Sequence, residues 1–247
     1  MTKFPSIKDD GYVASTNFYK IPATYHSAVY LCFLFAWIRD SKLSSNTYHH
    51  GDLKEALIAA SHKILRDKGA DSLSLRAVAA EVGVSHMAPY SHFKSKKSLF
   101  QDVAASGFDE LANTMLSNSE GLSKASELIL SYGVTYIEFA LAQPQLYRLM
   151  LGQVENLGRR SSSKAENAEK TLDVSSELQR SSKRPFDLLE SAFAQTSRNA
   201  LKVKAQALGA WSMVHGMAAL LIEGHFEIPT GMSTKDFLAM AAVYQTA

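Results

Sequence analysis

From residue 50 onward, hydrophobic positions recur at helical spacing. Leu53, Leu57, Ala60 and Ile64 follow i, i+4, i+7, i+11, which is one face of a helix. Gly51 or Asp52 starts it, and Lys68-Gly69 ends it, with Gly69 suited to the left-handed position past a helix C-terminus. Ser74 stands as N-cap to a short helix over 75–82, which Gly83 breaks. Ser85 caps another, running to about His92. Ser95 caps a long helix through Met115, with a stripe of Leu99, Val103, Phe108, Leu111 and Met115. Four or five further helices follow. One runs over 123–143 and stops at Pro144, and a short one covers 145–151. Two more cover 171–198 and 201–226, with Pro185 marking a start or kink, and the last covers 233–245. A polar stretch at 158–170 is expected to be a surface loop. No strand-like alternation of useful length occurs, so the expected class is all-α.

Residues 1–46 are different. They hold Pro5, Pro22 and scattered aromatics without a sustained period. Poor order is expected there, with a short helix near 28–39. Composition adds limits. Of 247 residues, 46% are hydrophobic and 20% charged, which fits a folded chain and not a wholly disordered one. Cys32 is the single cysteine, so no intramolecular disulfide can form. The longest apolar run, 28–38, falls short of the roughly 20 residues that span a bilayer, and no small-x-small site follows it. A cytoplasmic place, with no membrane partner, is expected.

The net charge of +2 is unevenly spread. Residues 47–97 carry eight Lys/Arg against five Asp/Glu, with five of the eight histidines, while 98–247 carry 13 against 16. A small basic module thus sits beside an acidic body, a balance that suits an anionic partner for the module. The expected division is a 1–46 extension, a 47–97 helix-turn-helix domain and a 98–247 helical body.

Helix, glycine turn, helix over 74–92 is helix-turn-helix geometry, in which the second helix meets base edges in the major groove. Ser85, His86, Met87, Ala88, Tyr90, Ser91 and His92 are short or flat side chains, and no acid lies between Glu81 and Asp102. Lys94, Lys96 and Lys97 follow, placed to grip a phosphate at the next helix start. Val84 and Phe93 flank the segment as candidate core anchors.

Gly51-Asp52-Leu53-Lys54-Glu55-Ala56-Leu57, then Ser74-Leu75-Arg76-Ala77-Val78-Ala79, Gly83-Val84-Ser85, and Tyr90-Ser91-His92-Phe93-Lys94-Ser95-Lys96 resemble the N-terminal domain of the tetracycline-repressor (TetR) family over about 48–112. Trp211-Ser212-Met213-Val214-His215-Gly216 and Leu146-Tyr147-Arg148-Leu149-Met150 resemble one branch of it, marked by a Trp-x-x-x-His-Gly signature. The resemblance implies an all-helical homodimer that regulates transcription, most simply as a repressor. Its three-helix head would bind palindromic operator DNA, and its helical body would dimerise and bind a small effector. It places Ser85, His86, Met87 and Tyr90 at base or sugar-phosphate contacts, Tyr90, His92 and Lys96 at phosphates, and Ser74 and Arg76 on the backbone from the first helix. The residues before Tyr48, and Pro89 inside the recognition helix, depart from the family pattern.

Effector-pocket candidates are Tyr132, Tyr136, Phe139, Tyr147, Met150, Trp211 and His215, with Phe226. A buried core would show the same aromatic stripe. Leu220, Leu221 and Ile222 near Ala218 and Ala219 suit a dimer seam, and the helix from Ser95 is the expected lever between head and body. Enzyme motifs are absent from the sequence: no G-x-S-x-G, no phosphate loop, no dinucleotide fingerprint and no H-E-x-x-H. No catalytic residue, metal ligand or cofactor is expected. The competing reading is a helical adaptor that docks on a membrane or partner through 28–38.

Overall fold

Eight α-helices and two one-turn 3-10 segments, with no strand, make up the described residues of the computed structural model, 50–151 and 175–242. The expectations for 1–46, for the run at 28–38 and for the loop at 158–170 lie outside the described residues. Helix α1 (His50–Lys68) ends at Gly69, whose N–H donates to the Leu65 carbonyl at 3.0 Å. After a 3-10 turn at Ala70–Ser72 comes α2 (Leu75–Val82), where the Ser74 hydroxyl accepts from Ala77 N–H. Gly83 closes α2 at φ 80°. A side chain in that left-handed well would cost about 1 kcal/mol or more, so the glycine sets the direction of the following turn.

α3 (Lys96–Asn118) opens with a reciprocal cap: Ser95 Oγ accepts from Ser98 N–H and Ser98 Oγ from Ser95 N–H, each at 3.1 Å. It runs past Met115 to Asn118. Its last turn is tied to the next helix, with Asn118 Nδ2 donating to Thr135 Oγ1 and Ser131 Oγ to the Asn118 carbonyl. α4 (Ala125–Ala142) ends before Pro144, the first residue of α5 (Pro144–Met150). α6 (Ser176–Ala194), α7 (Ala200–Ile222) and α8 (Thr234–Ala242) complete the body. Pro185 lies inside α6, buried, and does not start it. The ring removes the donor that would serve the Ser181 carbonyl. The Ser181 hydroxyl meanwhile donates to Asp109 Oδ2 of α3.

One segment differs from expectation. Residues 85–92 form a turn and a 3-10 stretch, Ala88–Ser91, and not an α-helix. Pro89 has no N–H, and the bonds within the segment span three residues: Ala88 N–H to Ser85, Tyr90 N–H to Met87, His92 N–H to Pro89, with a single four-residue bond, Phe93 N–H to Pro89 at 2.8 Å, closing it.

A single hydrophobic cluster joins head and body. Leu57, Ile64 and Leu65 of α1, Val78 of α2 and Phe93 meet Leu99, Val103, Leu111 and Met115 of α3, which continue into Ile137, Leu146, Leu189, Val214 and Leu238. The expected α3 stripe is thus the spine of the molecule. α5 crosses α3 at Gly107, where an added Cβ would lie 2.7 Å from Met150 Sδ and 3.1 Å from Leu146 Cδ1. Only glycine admits so close a crossing without displacing those side chains.

Candidate nucleic-acid interface and body cavity

The 84–93 segment is pinned by two apolar anchors. Pro89 and Phe93 are fully buried, and Val84 is half-buried. Five of the side chains around these anchors, Ser85, His86, Met87, Tyr90 and Ser91, project outward. Ser85, His86 and Ser91 are exposed, Met87 is 60% and Tyr90 46% exposed. Two large side chains left in water at the tip of a well-packed head ask for a partner. Ser91 Oγ donates to the Ala88 carbonyl, which fixes the 3-10 turn. His92 is half-buried against Phe93, ring centroids 6.3 Å apart, and its Nε2 is buried without a partner among the described residues. Its Nδ1 is therefore the atom left for an outside contact. Ser74 spends its hydroxyl on capping α2, while Arg76 beside it is exposed.

The local charge is more one-sided than the sequence shows. Glu81 is taken up by Lys63 of α1 at 2.6 Å, which holds its carboxyl below the usual range. Asp102 is taken up by Lys54 at 2.8 Å. Both acids flanking the segment are thus neutralised. Arg76, Lys94, Lys96 and Lys97 are exposed and form no ion pair among the described residues, and Lys96 Nζ stands 5.0 Å over the Phe100 ring. This combination of hydrogen-bonding and apolar tips ringed by free cations matches a DNA groove and its phosphates.

The body holds a cavity of about 660 Å³ between α4, α6, α7 and α8. Tyr132 and Tyr136 of α4, Leu189 and Phe193 of α6 and Trp211 of α7 form much of its wall, with Leu238 of α8 across from Gly133. Of the positions expected around a ligand, Tyr132, Tyr136 and Trp211 line this space. Phe139, Tyr147, Met150 and His215 do not. Met150 is spent on the Gly107 crossing. Tyr147 and His215 form a knot behind the cavity wall: Tyr136 Oη donates to Tyr147 Oη at 3.3 Å, and each hydroxyl lies 3.1 Å from His215 Nδ1. Burial, with Tyr147 beside it, raises the Tyr136 hydroxyl far out of the titratable range, and burial raises Tyr147 too. Both are neutral hydrogen-bonding groups. Phe226 packs on Phe237, centroids 5.9 Å apart. Sequence patterning missed Lys202, Gln206 and Gly209, which also line the cavity. Lys202 and Gly209 are seven residues apart, two turns of one face, but nothing in a single chain marks that face as fronting empty space.

No group of three His, Cys, Asp or Glu able to hold a metal ion occurs among the described residues. α7 is long and apolar enough to cross a membrane by length and composition, with 28% of its most apolar window buried.

Residues 57–103 match the model of bacterial regulatory proteins of the tetR family, and 129–242 match the tetracyclin repressor-like C-terminal domain. The matched parts coincide with the exposed tip and its supporting helices, and with the cavity-bearing body. The chain is a helix-turn-helix transcription regulator and not an enzyme. It belongs to the TetR family. Among solved structures it is similar to a protein of unknown function from Rhodococcus sp. RHA1, at 28% identity and TM-score 0.62, covering 81% of this chain and 96% of that one. Lower identities, showing the shared fold, are found with a TetR family transcription regulator from Marinobacter aquaeolei VT8 (13%, TM-score 0.51, 79% and 95% covered) and with AibR in complex with isovaleryl coenzyme A and operator DNA (19%, TM-score 0.50, 78% and 97% covered). No curated protein matches the chain.

Proposed function

We propose that this regulator binds a palindromic operator as a homodimer, most simply as a cytoplasmic repressor, and that a small molecule in the body cavity changes its affinity for DNA. The observation that carries the DNA reading is the outward tip Ser85-His86-Met87-Tyr90-Ser91 held on buried Pro89 and Phe93 among unpaired cations. His86 and Met87, at the tip, are assigned to base edges, with Ser85 and Ser91 beside them. Tyr90, His92 and Lys96 are assigned to phosphates, and Ser74 and Arg76 to the backbone on the other side of the groove. The head is taken as 47–97 and the body as 98–247. The Trp211–Gly216 signature supports placement in the branch the sequence resembles. The AibR neighbour, bound to both an acyl thioester and DNA, supports an effector site in a body of this fold.

A ligand shifts DNA affinity only if it binds one arrangement of the heads better than another. A route for that difference runs through the polar knot. Tyr136 fronts the cavity on one side and holds Tyr147 of α5 and His215 of α7 on the other. α5 in turn rests on Gly107 of α3 and on α1 of the head. A ligand that pushes Tyr136 aside would move the seat of α5, and with it the head.

Selection of bound fragments from random duplexes by the purified protein tests the assignment. A twofold-symmetric site is the expected result. With the site in hand, Lys96→Ala and Tyr90→Ala should weaken binding to all duplexes, and Lys96→Ala should also flatten the salt dependence by about one phosphate's worth. His86→Ala and Met87→Ala should instead relax preference at particular base pairs. Recovery of no enriched sequence would sink the operator reading.

A further inference from the structure

The cavity is polarised along its length. α4 runs directly into α5, and the far end of α7 lies beside α5, where Arg148 pairs with Glu223 at 2.6 Å. The two helices therefore point the same way. Tyr136, Trp211 and His215 lie toward the α5 end. Ser126 and Lys202 precede Tyr136 and Trp211 by ten and nine residues, so at 1.5 Å per residue they lie roughly 14 Å away, at the first turns of both helices. One end is aromatic and apolar; the other holds Ser126, Lys202 and Gln206.

The charge at the polar end has one sign. No Asp or Glu lines the cavity. Lys202 sits in the first turn of α7, where the helix dipole disfavours a cation, and no acidic residue shares that turn. It forms no ion pair among the described residues. Glu127, the nearest acid along α4, is exposed and paired with Lys124 at 3.1 Å. Lys204, two residues on, is exposed and does not line the cavity.

Resting on the effector reading of this cavity, we propose that its ligand is an amphipathic monoanion, an apolar chain seated against Tyr136 and Trp211 with its carboxylate at Lys202. A volume of 660 Å³ fits such a molecule, within the roughly 300–1,000 Å³ of small-ligand sites. The apolar wall supplies the affinity and the lysine the orientation. A neutral chain loses the second contribution, and a cationic chain meets Lys202 as a like charge.

Titration calorimetry of the full chain with decanoate, decanol and decylammonium at neutral pH tests this. Decanoate is expected to bind most tightly and decylammonium least. Lys202→Met should weaken decanoate about fivefold, the size of a part-exposed ion pair, and leave decanol unchanged. Lys204→Met should change neither. Equal affinity for all three, or no effect of Lys202→Met, overturns the anion assignment, as does binding by none of them. The fate of the effector reading is measured separately with Gly209→Leu. Gly209 lines the cavity and an added Cβ there meets nothing within 4 Å, so the first atom of a larger side chain is accommodated; unchanged circular dichroism checks that the fold survives. An effector site so filled loses ligand binding or shifts operator affinity, whereas a mere packing void does neither.

Discussion

Asp109 shows how a single side chain ties together the seam between two helices of the body, α3 and α6. It lies on α3, 27% of its side chain exposed, and faces α6. Arg184 donates to one carboxylate oxygen and Ser181 to the other at 2.8 Å, with Arg180 at 3.8 Å and Arg184 also reaching Asn113. Burial pushes the carboxyl up, but these donors and positive charges outweigh it and hold it below its ordinary value. A depressed folded value means the stabilisation is fully present above the unfolded carboxyl value, near 3.9, and is lost as pH falls through the folded one. Asp109→Asn keeps the shape and removes the charge. Between an exposed pair and a buried one, the cost should be about 1–2 kcal/mol, or roughly 3–6 °C in melting temperature. The loss should be seen at neutral pH and shrink below about pH 4 as the wild-type carboxyl protonates. A variant that melts like the parent across pH 3–7 would remove Asp109 from the seam.

At the scale of elements, what the sequence makes legible is what local chemistry decides. Ser74, Gly83 and Ser95 each act within four residues, and the structure places all three as caps. The α3 stripe is equally local, since a helix of 23 residues, about six turns, with apolar positions on one side has one face to bury. The recognition segment is harder to read because Pro89 cuts the hydrogen-bond ladder without breaking the sequence pattern around it. The cavity is harder still. Periodicity marks Tyr132, Tyr136, Phe139 and Tyr147 as inward-facing, but whether a neighbour or a void stands opposite depends on crossings such as Gly107, which no single helix encodes. Gly107 also gives the most direct test of the coupling route. Gly107→Ala should force Met150 and Leu146 off α3, and with them α5. Operator affinity should then change, and its response to ligand should be blunted, while circular dichroism stays helical. Tyr136→Phe, which removes the hydroxyl from the knot but keeps the ring on the cavity wall, should likewise uncouple ligand binding from DNA release while leaving ligand affinity within a few fold. Unaltered coupling in both variants would mean that the signal bypasses α5.

For the whole molecule, the unfinished surface is α7. Val203, Ala207, Ala210, Val214 and Ala218 turn inward, yet Leu201 is 83% and Leu208 56% exposed, with Ala205 between them and Ser212 and Gly216 beyond on the same side. By length and composition the helix is apolar enough to cross a membrane. To enter a bilayer, however, it would have to leave α4 and α6 and strand the cavity wall. The proposed homodimer would cover the same face at no such cost: small residues alternating with large ones would let two helices approach closely about a twofold axis. Leu220, on the seam expected from the sequence, is 44% exposed and can extend this face, while Leu221 and Ile222 pack on the core. The same axis would set the two recognition segments apart by one turn of B-DNA, roughly 34–36 Å, and so turn a protein symmetry into a palindrome. Leu208→Asp tests the seam directly, because more than half of the side chain it replaces stands outside its own chain. Sedimentation should show the mass halved to that of the 27.1 kDa chain, with the far-ultraviolet dichroism unchanged. Operator affinity should fall by at least about a hundredfold, since the second half-site is no longer presented at high effective concentration, while binding to an isolated half-site stays as weak as before. A Leu208→Asp protein that still sediments as a dimer would move the seam off α7 and reopen the question of what covers this face.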